Sequence, residues 1–200
     1  MTDYVTAETR GTPGAPLVFT FHGTGGSETQ FHGLASQFLP TAHVISPRGD
    51  VLEGGMARYF RRTGEGVYDM PDLARRTTAM AAFLRAAKDR VGADRVVAIG
   101  YSNGANIAAS VALAQPDIFT DLVLLHPLIP WQPAAQPGLA RRRVLITAGE
   151  NDPICPPTLT RALVQYLGAQ GADVTAHWHS GGHEVVQSEI EAMKTFLTTA

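Results

Sequence analysis

The sequence of 200 residues contains a single cysteine, Cys155. One thiol cannot form a disulfide within the chain, and one thiol alone cannot make a metal site. We therefore expect Cys155 to be a small buried side chain, and we expect no metal and no disulfide framework in this protein.

An excess of charge of either sign is also missing. The sequence has 16 lysines and arginines against 18 aspartates and glutamates, so its formal net charge is −2 at pH 7 with neutral histidines. A chain with this balance has no general electrostatic attraction to nucleic acid or to an anionic membrane surface. We expect no nucleic-acid partner.

Long apolar segments are absent too. No apolar run approaches the roughly 20 residues that cross a bilayer, which predicts no membrane insertion. Residues 1–16 do not contain the basic stretch followed by an apolar stretch that is typical of a secretory signal. Hydrophobic residues nevertheless make up 44% of the sequence, which is enough for a sizeable core. These features favour a cytoplasmic protein with a single domain over residues 1–200.

Short apolar runs recur along the chain and predict buried strands. Such runs, continuous rather than alternating with polar residues, are typical of a parallel sheet that is buried on both faces. The opening residues 3–9 could add an antiparallel strand at the edge of this sheet. The six predicted strands are 17–21, 43–46, 96–101, 122–126, 143–148 and 174–178.

Helical patterns lie between these runs. Ser27, with Gln30 three residues later, has the spacing of a capping box and predicts the start of a helix. Pro71 suits the first turn of a second helix, and Gly92 can end it. Strands that alternate with helices predict an α/β fold with a mostly parallel sheet and helices on both of its faces. Further helices are predicted at about 104–115, 157–168 and 184–198.

The segment "GYSNG" at 100–104 follows a predicted strand and precedes a predicted helix. It fits the pattern G-x-S-x-G of a nucleophile elbow, in which a sharp turn leaves the serine hydroxyl exposed at the edge of the sheet. Gly100 and Gly104 have no side chains, so strand and helix can approach each other there. Ser102 is therefore a candidate nucleophile, and the alternative is that it is only a turn residue.

A serine hydroxyl needs a base, and the base needs an acid that orients it. In folds of this kind the chain order is serine, acid, histidine. Asp152 follows the strand predicted at 143–148 and is the candidate acid, with Glu150 as the nearby alternative. Asp152 could instead be an Asx-turn residue before Pro153. His183 follows the last predicted strand and is the candidate base.

The reaction also needs N–H groups that bind the developing oxyanion. One donor should be the backbone N–H of Asn103, directly after the candidate nucleophile, and we assign the second to the N–H of Thr24 in the loop 21–28. A phosphate-binding glycine loop is the alternative for that loop, but the lysine expected of a P-loop is missing.

Two irregular stretches, 47–70 and 127–142, each follow a predicted strand, and loops at that edge of an open sheet line the ligand site. Candidate substrate-binding residues are Tyr59, Phe60 and Arg61 in the first stretch and Trp131 in the second. Arg62 lies in the first stretch too, and Leu128 and Ile129 lie in the second, so they are also expected near Ser102. Such residues would suit a short acyl group and an anionic or polar end. The alternative is that the aromatic side chains only hold the long loops in place. His126 ends a strand close to the same edge and is a candidate supporting residue.

Five segments together resemble the α/β-hydrolase superfamily and, within it, the small phospholipase/carboxylesterase family. They are "FHGTGG", "ISPRG", "GYSNGA", "GENDPICP" and "GGHEV", and they extend from about residue 17 to the end. The resemblance implies the same Ser102–Asp152–His183 triad and the same oxyanion donors, Thr24 and Asn103. It also implies hydrolysis of carboxylic esters, no cofactor and often a homodimer.

The sequence departs from the acyl-protein thioesterase branch of that family. Gly26 and Asn103 stand where that branch usually has aspartate and glutamine, and "ARYFRR" at 57–62 is more similar to a bacterial branch. The first hypothesis is a serine carboxylesterase that acts on small soluble esters. The alternatives are a thioesterase or lysophospholipase that takes longer acyl chains, and a degenerate hydrolase fold that only binds a ligand.

Overall fold

The computed structural model describes residues 4–199, which contain eleven strands and five α-helices. The strands are β1 (Thr6–Thr9), β2 (Leu17–Phe21), β3 (His43–Pro47), β4 (Val51–Glu53), β5 (Met56–Arg58), β6 (Arg62–Gly64), β7 (Val67–Tyr68), β8 (Val96–Tyr101), β9 (Asp121–Leu125), β10 (Arg143–Gly149) and β11 (Asp173–His179). The helices are α1 (His32–Phe38), α2 (Met70–Val91), α3 (Asn103–Ala114), α4 (Pro157–Ala169) and α5 (Gln187–Thr198).

Seven strands form one central sheet in the order β1-β3-β2-β8-β9-β10-β11. Strand β1 pairs antiparallel with β3, and every other neighbouring pair is parallel. The predicted α/β fold is therefore confirmed, including all six parallel strands and the antiparallel edge strand. The expected edge strand began at Asp3, which lies outside the described residues.

Alternate residues of the central strands face opposite sides of the sheet, and both sides are apolar. Phe19 and Leu124 face the side that is packed with α2, α3 and α4, whereas Val18 and Val123 face the side that is covered by α1 and α5. A strand with two buried faces favours apolar residues at every position, which is why these strands are nearly continuous apolar runs in the sequence.

The prediction that Ser27 starts a helix is wrong. Helix α1 begins at His32, its N-cap residue is Phe31, and no side chain caps it. The N–H of Gln30 donates to the carbonyl of Ser27 over 3.1 Å in a turn. The side-chain oxygen of Gln30 accepts the N–H of Gly23 at 2.8 Å instead of reaching back to a helix start. The side chain of Gln30 therefore holds the preceding loop in place, and its spacing from Ser27 does not mark the start of a helix.

The stretch 47–70 had no periodicity from which strands could be predicted, yet it contains two small hairpins. Strands β4 and β5 form one of them, and β6 and β7 form the other. Strands of two or three residues are too short to establish an alternating pattern, which explains why the sequence did not reveal them. Both hairpins lie between the carboxyl end of β3 and the start of α2, so they stand at the edge of the sheet where ligands bind.

No helix within residues 4–199 is both long enough and apolar enough to cross a membrane.

The elbow between β8 and α3 depends on two glycines. A Cβ atom on Gly100 would lie 2.6 Å from the carbonyl oxygen of Gly104, and a Cβ atom on Gly104 would overlap the carbonyl oxygens of Phe21 and His22. Strand β2 and helix α3 can therefore approach each other only without side chains at this crossing. The close approach brings the loop after β2 next to the start of α3.

We predict that Gly104→Ala destabilises the fold, because its methyl group would overlap the backbone at the end of β2. The free energy of unfolding, measured by urea denaturation, should fall by about 1–3 kcal/mol, the usual cost of overpacking. Gly168→Ala is the matched control: a methyl group there meets nothing within 4 Å, and alanine favours the helix by up to about 1 kcal/mol. Equal stability of the two variants would contradict close packing at the elbow.

Candidate active site

Ser102 occupies a strained turn between β8 and α3. Its backbone has φ 51° and ψ −117°, a conformation that costs a residue with a side chain about 1–3 kcal/mol. Hydrogen bonds hold both sides of the residue. Its N–H donates to the carbonyl of Leu125 over 2.9 Å, and its carbonyl accepts the N–H of Asn106 over 2.9 Å. The turn therefore presents the hydroxyl at the carboxyl edge of the sheet.

His183 lies between Ser102 and Asp152. Its Nε2 is 2.8 Å from Oγ of Ser102, and its Nδ1 is 2.7 Å from Oδ2 of Asp152. An ionised carboxylate can only accept, so the Nδ1 atom carries the proton and Nε2 is free to accept the hydroxyl proton of Ser102. The hydroxyl of Tyr101 donates to the carbonyl of His183 over 2.8 Å, which fixes the backbone that carries the ring. The structure thus brings all three sequence-predicted residues into contact.

The carboxylate of Asp152 makes two kinds of contact. Its Oδ1 accepts the N–H groups of Ile154 and Cys155 at 2.8 and 2.9 Å, which is the Asx turn considered as an alternative for this residue. Its Oδ2 faces His183 and His126. Burial alone would raise the pKa of Asp152, but the N–H of Cys155 and the two histidines outweigh burial and lower it. The turn therefore orients an ionised carboxylate toward His183, so Asp152 makes both the Asx turn and the contact expected of the acid.

A second histidine lies behind Asp152, fully buried. Nδ1 of His126 is 3.0 Å from Oδ2 of Asp152, and its Nε2 is 3.0 Å from Oε1 of Glu189, an ionic contact that is not a well-directed hydrogen bond. Burial opposes a charge on the ring, but Glu189 and Asp152 outweigh burial and raise the pKa of His126. A carboxylate beside each nitrogen favours a proton on both, so these contacts favour the charged form of His126.

Glu189, on α5, is the functional-site neighbour that the sequence did not indicate. Burial would raise the pKa of its carboxyl, but His126, the hydroxyl of Thr147 and the N–H of Val186 lower it. The hydroxyl of Thr147 donates to it over 2.5 Å and the N–H of Val186 over 2.7 Å. His179 is a further neighbour, with Nε2 3.4 Å from Oε2. Asp152, His126 and Glu189 therefore form a buried row of alternating charge.

In the loop after β2, one of the N–H groups of residues 22–26 has no acceptor in the described part of the chain. Among residues 22–26, the N–H groups of four residues donate to acceptors within the protein: His22 to the Tyr59 hydroxyl, Gly23 to Gln30, Gly25 to the Ala57 carbonyl and Gly26 to the Gly23 carbonyl. The N–H of Thr24 has no acceptor in the described part of the chain. Its side chain is held by Arg58, whose Nη1 donates to Oγ1 of Thr24 over 2.7 Å.

Asn103 is the first residue of α3, so its N–H has no acceptor within the helix. It directly follows Ser102, and the positive end of the helix dipole adds to its attraction for an anion. The side chain of Asn103 faces the other way, since its Oδ1 accepts the N–H of Tyr59 over 2.7 Å. Among residues 4–199, neither of the two N–H groups assigned from the sequence has an acceptor.

Three of the predicted substrate-binding residues do not reach the space beside Ser102. Tyr59 is buried, and its hydroxyl donates to the carbonyl of Pro47 over 2.8 Å. Phe60 is fully buried and packs edge-on against Tyr68. Arg61 turns toward the start of α2, where its Nη2 lies 3.1 Å from Asp69. Tyr59 and Phe60 therefore serve the alternative considered for them, which is holding the loops in place.

A cavity opens beside the hydroxyl of Ser102, and we call it the Ser102 cleft. Its volume is about 30 Å³. Tyr68, Asn106 and Leu128 form a rigid part of its wall. The amide of Asn106 donates to the Tyr68 hydroxyl over 2.7 Å and accepts the N–H of Leu128 over 2.6 Å, and the Tyr68 hydroxyl donates to the Leu128 carbonyl over 2.9 Å. Trp131 supports Tyr68 from behind and does not line the cleft. The full lining is Arg58, Arg62, Gly66, Tyr68, Ser102, Asn103, Asn106, Leu128, Ile154 and Cys155.

Cys155 is buried, as expected, and it also borders the Ser102 cleft. Its Sγ lies 3.2 Å from the carbonyl oxygen of His126 and can donate to it. Burial, with a smaller contribution from the charge of Asp152, raises the pKa of the thiol far above its ordinary value. Cys155 is therefore a neutral thiol and a poor nucleophile.

Two sets of side chains have the composition and spacing of a metal site. His126, His179 and Glu189 form one set, and His126, Asp152 and His183 form the other, with ligand atoms within 4.8 Å of one another in each. A metal in the second set would compete with the proton on Nδ1 of His183 and disturb its contact with Ser102. A metal in either set would also displace the protons that make His126 a cation between two carboxylates.

This fold, with a serine, a histidine and an aspartate meeting at the carboxyl edge of the sheet, defines the α/β-hydrolase class. The chain belongs to the phospholipase/carboxylesterase family, whose sequence profile matches residues 3–200. The family resemblance inferred from the five sequence segments is thereby confirmed. The chain is an enzyme, a hydrolase of the carboxylesterase type.

Three known proteins are similar to this chain over most of its length, and two of them are named as hydrolases. The putative hydrolase MhqD of Bacillus subtilis (strain 168) is 38% identical over 186 residues, which cover 92% of this chain and 93% of MhqD. A carboxylesterase of Bacillus cereus is 40% identical in its crystal structure, with a TM-score of 0.89 over 96% of this chain and 92% of that one. The protein Atu2452 of Agrobacterium tumefaciens str. C58, of unknown function, is 52% identical, with a TM-score of 0.92 over 97% of this chain and 95% of that one.

We predict that His126→Gln lowers the free energy of unfolding by about 3–5 kcal/mol, because it leaves Asp152 and Glu189 buried without the cation between them. The double variant His126→Gln/Glu189→Gln removes one of the two carboxylates and should recover part of that loss. Urea denaturation of both single variants and the double variant measures the coupling. Additive losses would contradict the row of alternating charge.

The stability difference between wild type and His126→Gln should also depend on pH. Because the folded pKa of His126 is raised, the stability from its charge is complete below the ordinary value of about 6.5 and is lost as the pH rises through the raised value. Denaturation near pH 6 and near pH 10 should therefore give a larger difference at the lower pH. A difference that grows with pH would mean that His126 is neutral.

Proposed function

We propose that this chain is a serine carboxylesterase that cleaves small esters with short acyl groups through an acyl-enzyme. The observation that carries the proposal is the contact of His183 with both Ser102 and Asp152, at 2.8 and 2.7 Å. In such an arrangement the proton moves from the serine hydroxyl to the imidazole, and the carboxylate stabilises the positively charged imidazole ring.

The chemistry follows from these positions. His183 accepts the hydroxyl proton through Nε2 while Oγ of Ser102 forms a bond to the ester carbonyl carbon. The carbonyl electrons move to oxygen, which is held by the N–H groups of Thr24 and Asn103. His183 then returns the proton to the alcohol as the ester bond breaks and leaves an acyl-serine. Water, deprotonated by His183, attacks that acyl group, and the acid leaves with Ser102 restored.

A short acyl group is supported by the size of the Ser102 cleft. Its volume of about 30 Å³ means that the cleft is narrow beside the hydroxyl. Tyr68, Asn106 and Leu128 are joined by three hydrogen bonds, so opening that wall for a longer chain would break them. A thioesterase or lysophospholipase that takes longer acyl chains would use the same nucleophile but would need a longer acyl-binding pocket.

The homodimer that the family resemblance implies stays a prediction.

We predict that Ser102→Ala lowers kcat for p-nitrophenyl acetate and butyrate by about 10⁴-fold or more, because the acyl-enzyme can no longer form. Ser36→Ala is the matched control, since Ser36 is on α1 and its hydroxyl bonds only the carbonyl of His32. Circular dichroism shows whether the variants are folded. Full activity in a folded Ser102→Ala protein would disprove the proposed nucleophile, and a folded wild type without activity would favour the ligand-binding alternative.

The acyl-length preference provides a second test. For p-nitrophenyl esters from acetate to palmitate, kcat/KM should be highest at two to four carbons and fall by about tenfold or more by eight carbons, since each factor of ten requires only about 1.4 kcal/mol. Leu128→Ala removes side-chain volume from the cleft and should move the optimum to longer chains. Ile129→Ala, at the neighbouring buried position outside the cleft, should leave the optimum in place. A wild-type optimum at eight carbons or more would favour the lysophospholipase or thioesterase alternative.

A further inference from the structure

We propose that Arg58 and Arg62 form an anion-binding subsite in the Ser102 cleft, and that the preferred substrates are small esters that carry a second, ionised carboxylate. This inference rests on the proposed esterase function, and it adds the chemical class of the substrate. Both arginines line the same small cavity as the Ser102 hydroxyl.

The two guanidinium groups share one carboxylate. Nε of Arg58 lies 3.1 Å from Oε2 of Glu53, and Nε of Arg62 lies 2.9 Å from Oε1 of the same residue. Neither arginine forms an ion pair with another acidic side chain in residues 4–199. Two positive groups against one negative group leave one net positive charge on the wall of the cleft.

Several hydrogen-bond donors of these arginines remain free. Arg58 uses Nη1 for the hydroxyl of Thr24 and Nε for Glu53 and the carbonyl of Phe60, and its Nη2 has no acceptor within the described chain. Arg62 uses only Nε, so both of its terminal nitrogens are without an acceptor in that part of the protein. Planar pairs of N–H groups match the geometry of a carboxylate, which can accept two parallel hydrogen bonds.

The site is also held in position before any ligand arrives. Arg58 is buried, with 4% of its surface exposed, and its guanidinium lies 5.8 Å from the ring centre of Phe60. Burial lowers the pKa of Arg58, and the charge of Arg62 lowers it further. An incoming carboxylate would relieve that repulsion, and side chains that are already fixed lose little conformational entropy on binding.

A purely structural role would be the alternative, in which the three side chains only join the hairpin β4–β5 to β6. One arginine would satisfy Glu53 in that role, and the second would bring a repulsive charge into a narrow cavity. The position of both groups beside the nucleophile favours a role in substrate recognition. It also predicts that a neutral ester of the same shape is a poorer substrate.

The test compares two esters of the same size, monomethyl succinate, which carries a carboxylate, and methyl succinamate, which carries a neutral amide. Wild type should prefer monomethyl succinate in kcat/KM by about ten- to hundredfold at low ionic strength, the range that charge-assisted hydrogen bonds provide. Arg62→Gln should reduce this ratio to near one, and Arg62→Lys should restore only part of it because an ammonium lacks the planar pair of donors. The control is Arg85→Gln, which removes an exposed arginine of α2 that pairs with Asp117. It should leave the ratio unchanged.

The outcomes separate this inference from the proposed function. Hydrolysis of both esters at equal rates by wild type would overturn the subsite and leave the esterase in place, and so would a preference that survives in Arg62→Gln. If wild type hydrolyses neither ester, calorimetric titration with succinate and with succinamate still tests the subsite. Binding of succinate that weakens about tenfold or more in Arg62→Gln, and that falls with added salt, supports it. Equal binding of both compounds overturns it.

Discussion

The carboxylate of Asp152 is the group on which the rest of the site depends. Its Oδ1 is tied to the backbone of its own loop by two N–H groups, so its Oδ2 faces His183 and His126 in one fixed orientation. The positions of β9, β10 and β11 bring these residues together, because parallel pairing aligns their carboxyl ends. Without that carboxylate, neither the tautomer of His183 nor the charge of His126 would be defined.

The charges around Ser102 have a consistent arrangement. When His126 is protonated, Asp152, His126 and Glu189 together carry one net negative charge, on the side where the proposed reaction makes His183 positive. Arg58, Arg62 and Glu53 together carry one net positive charge, beside the loop that holds the N–H of Thr24. In the proposed reaction ester cleavage places an imidazolium on the first side and an oxyanion on the other, so the negative charge of the first group would favour the transition state.

The sequence predicted the parts of the structure that depend on local patterns. Apolar runs such as 96–101 identified the strands, and the glycines around Ser102 identified the elbow, since close packing there tolerates no side chain. Asp152 and His183 could be found because each directly follows a strand of a parallel sheet. Chain order and position then limited the choice of acid and base to few residues.

Other parts depend on contacts that no local pattern records. Tyr59 and Phe60 have the composition expected of a binding loop, but their aromatic rings are equally suited to the core, where the structure places them. Glu189 is next to Ile190, an apolar residue of α5 that packs against the core. A glutamate in that position usually faces solvent. Its burial depends on His126, a partner more than sixty residues earlier in the chain. Arg58 was missed because a strand as short as β5 does not reveal which of its side chains face the cleft.

We propose that Asp152 and His183 make Ser102 the nucleophile. The most direct measurement is mass spectrometry of peptides from the native protein after reaction with a fluorophosphonate. Our account predicts one adduct per chain, on the peptide that contains Ser102, and no adduct after the protein is unfolded before exposure to the probe. An adduct on a different residue, or none on the folded protein, would contradict the account.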